Sequence, residues 1–304
     1  MQLPMSFAEI VDEIVRYTSF SREEVEYRVW MEAIDSGWNV LQDVARFGVT
    51  PFIDTPKMSQ LYQQGDGFIF ETMVFWAKPG RNRWTKEALE RVRSLAARQG
   101  RPHSDIRILM FGDGTGSDSI FFACHDFQVD YFDFPDSATS RFAIRRFDGR
   151  GLLDSSIHPI ADYKSFLKQE YDVVLSFEVL EHLPDPIGTI HDISLMLKDG
   201  GIAIITDDFG DITPQLPTHL KSNSKYLGRT PFLFLDQGLH LSWYNKEIMF
   251  KPMEYVKRGR PSTTDRVSLL QDYNVRSLYL WRYTGRIARF IEKLAYFRVK
   301  RTHG

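Results

Sequence analysis

Capping residues followed by apolar positions at helical spacing open the chain. Ser6 with Glu9, and Ser21 with Glu24, fit the S-x-x-E box of a helix N-terminus; Ile10, Val11 and Ile14 follow the first pair, Val25 and Val29 the second. Two amphipathic helices are therefore predicted. Another is predicted from Thr85 to a stop at Gly100, with Leu89, Val92 and Leu95 facing inward. Between them, residues 50–84 mix turn formers with aromatics, which are expected to pack rather than to line a pocket. From Arg101 the pattern changes to short apolar runs separated by helix-like stretches. "DIRILMFGDGTGSDSIFFA" reads as a strand, a glycine turn and a helix from about Asp118, and "FQVDYFDFPDS" as a second strand. A helix from Ser137 to Phe147, a third strand at "SSIHPI", a fourth at "YDVVLSF", and a Gly-Gly turn into a fifth at "LMLKDGGIAIITDDF" follow. This alternation predicts an α/β fold, a doubly wound Rossmann-like sheet with an N-terminal helical extension. The expected divisions are residues 1–100, 101–274 and 275–304, the last a basic amphipathic helix.

In such sheets ligands sit at the C-terminal ends of the strands. Gly112, Gly114 and Gly116 follow the first strand, where glycines let the backbone turn tightly and approach a nucleotide-type cofactor. Ser117 stands where a dinucleotide fingerprint would have its third glycine, so the loop alone does not choose the cofactor. Asp133, about twenty residues on, is placed to accept hydrogen bonds from a ribose diol, with Asp130 as competitor. Asp162 follows the third strand.

Composition narrows the classes. A chain of 304 residues, 43% hydrophobic, buries one large core or a core with a smaller helical unit. A formal net charge of −2 weighs against a nucleic-acid partner, and a single cysteine, Cys124, with an acidic N-terminal stretch and no long apolar run predicts a cytoplasmic protein.

The succession "ILMFGDGTG", "VDYFDF", "YDVVLSFEVLEHLPDP" and "LKDGGIAIITDDF" resembles the class I S-adenosylmethionine-dependent methyltransferases over about Ile106 to Phe209. The resemblance implies that Gly112, Gly114 and Gly116 wrap the methionine part of S-adenosylmethionine, that Asp133 holds the ribose, and that Asp162 contacts the adenine edge. Phe177, closing the fourth strand, joins the cofactor-binding set. The family usually has an acid two positions before the first glycine, facing the cofactor's ammonium; here that position is Met110, and Asp113 within the loop is the expected substitute.

Glu178, Glu181 and His182 stand at i, i+3 and i+4, one side of a helical turn if the strand ends in one. Together with His240, read as preceding a helix, they are similar to the pattern of metal-dependent 2′-O-methyltransferases of small RNAs, and in part to ubiquinone-pathway O-methyltransferases. That resemblance implies a divalent metal ion on Glu178, Glu181, His182 and His240. The alternative without metal makes His182 or His240 the general base, with Glu178 beside it; a third possibility leaves His182 satisfying backbone groups only. His125, His158 and His191 are expected to be ordinary surface or core histidines.

In the tail, Arg282, Arg286, Arg289 and Lys293 form one helical stripe and Leu280, Ile287, Ile291 and Leu294 the other. Such a helix packs on the domain, rests on an anionic membrane surface or binds an acidic substrate. Residues 210–239, with Pro214, Pro217 and Pro231, have the composition of a lid or acceptor wall. The expected activity is O-methylation of a hydroxyl on a sugar, glycan or natural-product acceptor. The alternatives are N- or C-methylation of a small molecule, and a methyltransferase-like binding protein without catalysis.

Overall fold

The computed structural model describes residues 5–167, 170–247 and 251–280. Six helices come first: α1 (Phe7–Tyr17), α2 (Arg22–Ile34), α3 (Trp38–Phe47), α4 (Pro56–Gln64), α5 (Gly67–Ala77) and α6 (Pro79–Gln99). Ser6 and Glu9 form the expected capping box, and the Ser21 side chain accepts from Glu24 N. The predicted inward residues Ile10, Val11, Ile14, Val25 and Val29 are buried. Residues 50–84, read as turns and aromatics, contain α4 and α5. In α5 the apolar residues run almost unbroken, so no 3.6-residue period marks it as a helix. α6 starts at Pro79 rather than Thr85, because Pro79 has the fixed φ that suits a first helical turn; it ends at Gly100 in a left-handed conformation, as expected.

The chain then alternates: β1 (Arg107–Phe111), α7 (Ser117–Ala123), β2 (Gln128–Phe132), α8 (Ala138–Asp148), β3 (Ile157–Pro159), α9 (Tyr163–Phe166), β4 (Tyr171–Phe177), α10 (Pro186–Met196), β5 (Leu197–Thr206), α11 (Thr230–Asp236), β6 (Leu239–Tyr244), β7 (Met253–Lys257) and α12 (Thr263–Gln271). One seven-stranded sheet has the order β3-β2-β1-β4-β5-β7-β6. The first five strands are parallel, and β7 runs antiparallel to both β5 and β6. The order reverses between β1 and β4, the switch point at which a crevice opens above the strand ends.

Each face of the sheet is covered by its own apolar cluster. One joins β1, β4 and β5 to α6 and α7 through residues such as Val92, Phe122, Ile108 and Val173. The other sets Leu109, Val174 and Ile205 against α10 and α11 through Ile190, Ile193 and Phe234. A third cluster ties α1, α2 and α5 to Ala138 and Phe142 of α8, so the N-terminal helices are fastened to the sheet domain beside β2. The basic stripe Arg282, Arg286, Arg289 and Lys293 lies outside the described residues, and with it the expected membrane-contacting face. No described helix is long and apolar enough to cross a membrane.

Candidate active site

The crevice begins at the loop after β1. Gly112 and Gly116 adopt φ of 79° and 75°, and a side chain at either would collide, with Val179 in the first case and with the Phe147 ring in the second. Gly114 differs: a Cβ there would meet only Thr72 of α5, at 3.4 Å, an ordinary contact. Thr72 of α5 therefore lies directly over Gly114.

Asp113 does not present a free carboxylate. Its Oδ1 accepts from Asp118 N (3.2 Å), and its Oδ2 from Ser119 N (2.7 Å) and Ser119 Oγ (2.6 Å), so it caps α7 from within the loop. Burial and the nearby Asp118 push its pKa to about 7. The expectation that Asp113 replaces the acid missing at Met110 is therefore corrected: α7 takes both of its oxygens. The rest of the loop is held by β2, through the Tyr131 hydroxyl on Gly114 O (2.6 Å), and by α8. Arg146 donates to Glu13 (2.6 Å), Thr115 O (2.5 Å) and Ser117 Oγ (2.9 Å), and Arg81 of α6 pairs with Asp118 while lying 4.7 Å from the Phe177 ring centre.

Asp133 stands just past β2, half-buried, and accepts from Ser137 Oγ (3.1 Å) and Thr139 Oγ1 (2.8 Å) and from backbone N–H groups of Phe134 and Gly114. It thus borders the glycine loop. Its competitor Asp130 faces the other end of the sheet, bound to Arg107 (2.6 Å) and Tyr171 (2.8 Å). Asp162 is exposed, and its carboxylate caps α9 by accepting from Lys164 N (3.1 Å).

At the ends of β4 and β5 the acids divide. Glu178 takes φ of 56°, which breaks the regular turn that would have put it in line with Glu181 and His182. Its carboxylate goes to Lys251 Nζ instead (2.9 and 3.0 Å), which also lies 3.5 Å from Asp208. Burial alone would lower the Lys251 pKa, yet Glu178, Asp208, Glu181 and Asp207 together raise it. Asp207 is pushed to about 7 by burial, and its Oδ2 has no hydrogen-bond partner.

Glu181 is fully buried in a tight turn over Leu180–His182, and neither carboxylate oxygen has a partner. Burial first and Glu178 second raise its pKa well above the ordinary value. Next to it are two imidazoles, His182 and His219, with ring centres 4.7 Å apart and planes perpendicular. His182 Nδ1 lies 3.2 Å from Thr218 O, and His219 Nδ1 2.7 Å from Asp211 O. A carbonyl only accepts, so each proton sits on Nδ1 and each Nε2 carries a lone pair. Burial, then His219, lowers the His182 pKa to about 3, and burial lowers that of His219. One ligand atom from each of Glu181, His182 and His219 falls within 4.8 Å of the others.

His240 is not part of this group. It lies in β6, not before a helix, and pairs with Val256, in line with Ile202, Val173 and Ile108 at the opposite end of the sheet. There its Nε2 meets Gly259 O (3.1 Å) and its Nδ1 approaches Asp265 (3.6 Å). His240 is thus removed both as base and as ligand, and His219 takes the place expected of it. His219 sits in the Pro-rich connection; "PTH" carries no motif, and only that connection's path over the site reveals it. His125, His158 and His191 bond to Phe121 O, Gln128 and Gln237, as ordinary histidines do.

The connection over residues 210–239 is latched to both sides. Leu220 N and Asn223 Nδ2 donate to Glu181 O (3.0 and 3.1 Å), and Phe52 N donates to Pro217 O (2.7 Å). From α4, Tyr62 stacks between Phe68 and Phe134 (4.9 and 5.3 Å) with its hydroxyl 3.4 Å from His182 Nδ1. Aromatics of residues 50–84, for which packing is the favoured expectation over lining a pocket, therefore reach the site through Tyr62.

The chain is similar to several solved structures at low identity. A mitomycin 7-O-methyltransferase is 16% identical, with 84% of this chain and 74% of that one covered and a TM-score of 0.47. A [4+2]-cyclase is 18% identical (64% and 76% covered, TM-score 0.45). An N-methyltransferase from Bradyrhizobium japonicum, solved with S-adenosylhomocysteine, is 14% identical (73% and 100% covered, TM-score 0.41). At these identities neither acceptor nor chemistry transfers. A search of curated proteins finds no match. The family model described as a methyltransferase domain matches residues 81–249. That stretch is more than half of the chain and runs from α6 through the glycine loop and the connection over residues 210–239 to beyond β6, and the protein belongs to the S-adenosylmethionine-dependent methyltransferases.

Proposed function

We propose that this methyltransferase acts on a hydroxyl of a sugar, glycan or natural-product acceptor, with a divalent cation held by Glu181, His182 and His219. The observation that carries the reading is that one ligand atom from each of two imidazoles lies within 4.8 Å of a buried carboxylate that has no partner among the described residues. Imidazoles that donate their other N–H to a backbone carbonyl are oriented as metal ligands are. The depressed pKa values keep both rings unprotonated at neutral pH. Two nitrogens and a carboxylate suit Mn, Fe, Co or Zn at least as well as Mg, which prefers oxygen. Such an ion supplies Lewis acidity that lowers the pKa of an acceptor hydroxyl. The chain's own residues do the rest: the Gly112–Gly116 loop and Asp133 hold S-adenosylmethionine, Lys251 fixes Glu178 away from the ligand set, and the latched connection keeps water from the reacting face. His182 as a metal-free base is less well supported, because a group with a pKa of about 3 is far from the optimum for taking protons at neutral pH. A small acceptor and a cytoplasmic setting accord with the net charge of −2 and the lone Cys124.

One observation favours a second reading. Glu178, Glu181, Asp207 and Asp208 surround the single Lys251, and this surplus of carboxylates would also hold an amine acceptor for N-methylation. Metal analysis of purified protein, with Glu181→Ala, His182→Ala and His219→Ala, decides between the two. Stoichiometric metal lost in each variant, with S-adenosylhomocysteine binding retained and turnover down at least about 100-fold, is expected. Metal-free protein whose turnover survives His219→Ala overturns the cation reading.

A further inference from the structure

S-adenosylmethionine carries an α-ammonium at its methionine end, beside the glycine loop. An ammonium taken out of water needs an acceptor, and preferably an anion. The loop supplies none: Met110 is an apolar core residue and Asp113 is engaged by α7.

The opposite wall is α5, "GFIFETMVFWA", whose one charged residue is Glu71. Ile69, Phe70, Met73 and Val74 are buried against the other helices, while Phe68, Glu71, Thr72 and Phe75, at i, i+3, i+4 and i+7, form a half-buried face. One of these meets the glycine loop directly, and two reach the site through a neighbouring ring. Phe68 stacks on Tyr62, which reaches His182; the Thr72 methyl faces Gly114; and Phe75 packs edge-on against Trp84, whose ring lies 5.5 Å from Lys251 Nζ. Glu71 stands among them. Its Oε2 accepts from Thr72 Oγ1 (3.3 Å), and no cation is within ion-pair distance among the described residues. The charged groups around it are Glu32 of α2, Lys78 beyond the end of α5, and Glu178; burial, with Glu32 next, pushes its pKa to about 7.

We infer that Glu71 binds the α-ammonium of S-adenosylmethionine, so that the N-terminal helical unit, and not strand β1, supplies the anion for the cofactor. This rests on the glycine loop binding that cofactor. The arrangement makes cofactor binding depend on how α5 is seated, since the carboxylate reaches the site from outside the sheet.

The test is calorimetric titration of the full chain with S-adenosylhomocysteine and with its des-amino analogue. Wild-type protein is expected to prefer S-adenosylhomocysteine by about 10- to 100-fold, the range of a charge-assisted hydrogen bond. Glu71→Gln loses that factor for S-adenosylhomocysteine, is unchanged for the analogue, and binds the two alike. Glu71→Leu, which an apolar helix accommodates, gives the same pattern. A variant that keeps the preference, or weakens both ligands equally, overturns the role of Glu71 while leaving cofactor binding intact. Wild-type protein that binds neither ligand overturns cofactor binding by the loop, and this proposal with it.

Discussion

Asp133 shows how a single carboxylate can be placed by its neighbours before any ligand arrives. Two hydroxyls and two backbone N–H groups hold it at the end of β2, against the loop that carries Gly114. Ser137 and Thr139 both donate to its Oδ2, which fixes the carboxylate in place beside the loop. Asp133→Ala is expected to weaken S-adenosylhomocysteine binding by about 1.5–3 kcal/mol, the range for a lost hydrogen bond to a charged group, as measured by calorimetry. An unchanged affinity would move the ribose contact to another residue. Glu178 and Glu181 are three residues apart and have opposite fates. One is neutralised by Lys251; the other is left without a partner beside two imidazoles. Their shared residue type in the sequence concealed that difference, which arises from the left-handed backbone at Glu178.

At the scale of elements, the glycine loop is held by helices as well as by β2, which bonds it through Phe132 O and the Tyr131 hydroxyl. α1 contributes Glu13, 5% exposed, to Arg146 of α8, which is fully buried and bonded to Thr115 O and Ser117 Oγ. Arg150 joins the same carboxylate (2.5 Å). Removing Glu13 strands a guanidinium in the interior, a change that costs about 3–5 kcal/mol. Glu13→Ala is therefore expected to lower unfolding stability by that order in denaturant titration, and to weaken cofactor binding as well, because the loop loses its brace. A loss of stability below about 1 kcal/mol would mean that Arg150 or water compensates. The caps of α1 and α2 were readable as local patterns, since a cap needs only residues three apart. α5 was not, because a helix buried on most sides has no polar face to give it a period.

For the molecule as a whole, the surplus of buried carboxyls sets a pH dependence. Asp113, Asp207 and Glu71 have pKa values near 7, each raised chiefly by burial. A carboxyl whose folded pKa is raised contributes stability that is complete below its unfolded value, near 4, and is lost as pH rises to the folded value. His182, held down to about 3, acts in the opposite sense: its contribution is lost as pH falls below about 6.5. Glu181 adds to the carboxyl side and His219 to the imidazole side. The carboxyls prevail between pH 6 and 8, so chelator-treated protein without cofactor is expected to melt at a higher temperature at pH 6 than at pH 8. A higher Tm at pH 8 would show that these groups are ionised in the folded protein.

The sequence by itself determined the alternation of strands and helices, the glycine loop, the acid after β2 and the E-x-x-E-H turn. Each of these is a local pattern: strand runs, turn glycines and residues a few positions apart obey short-range sterics and hydrogen bonding. Only the tertiary structure decided which distant residues join them. His219 and not His240 meets Glu181 and His182, because the connection after β5 folds back over the strand ends while β6 starts at the far edge of the sheet. Asp113 is drawn to α7, and Thr72 meets Gly114 from a helix about forty residues earlier in the chain. Such pairings depend on how elements pack in three dimensions, and no spacing along the chain encodes them.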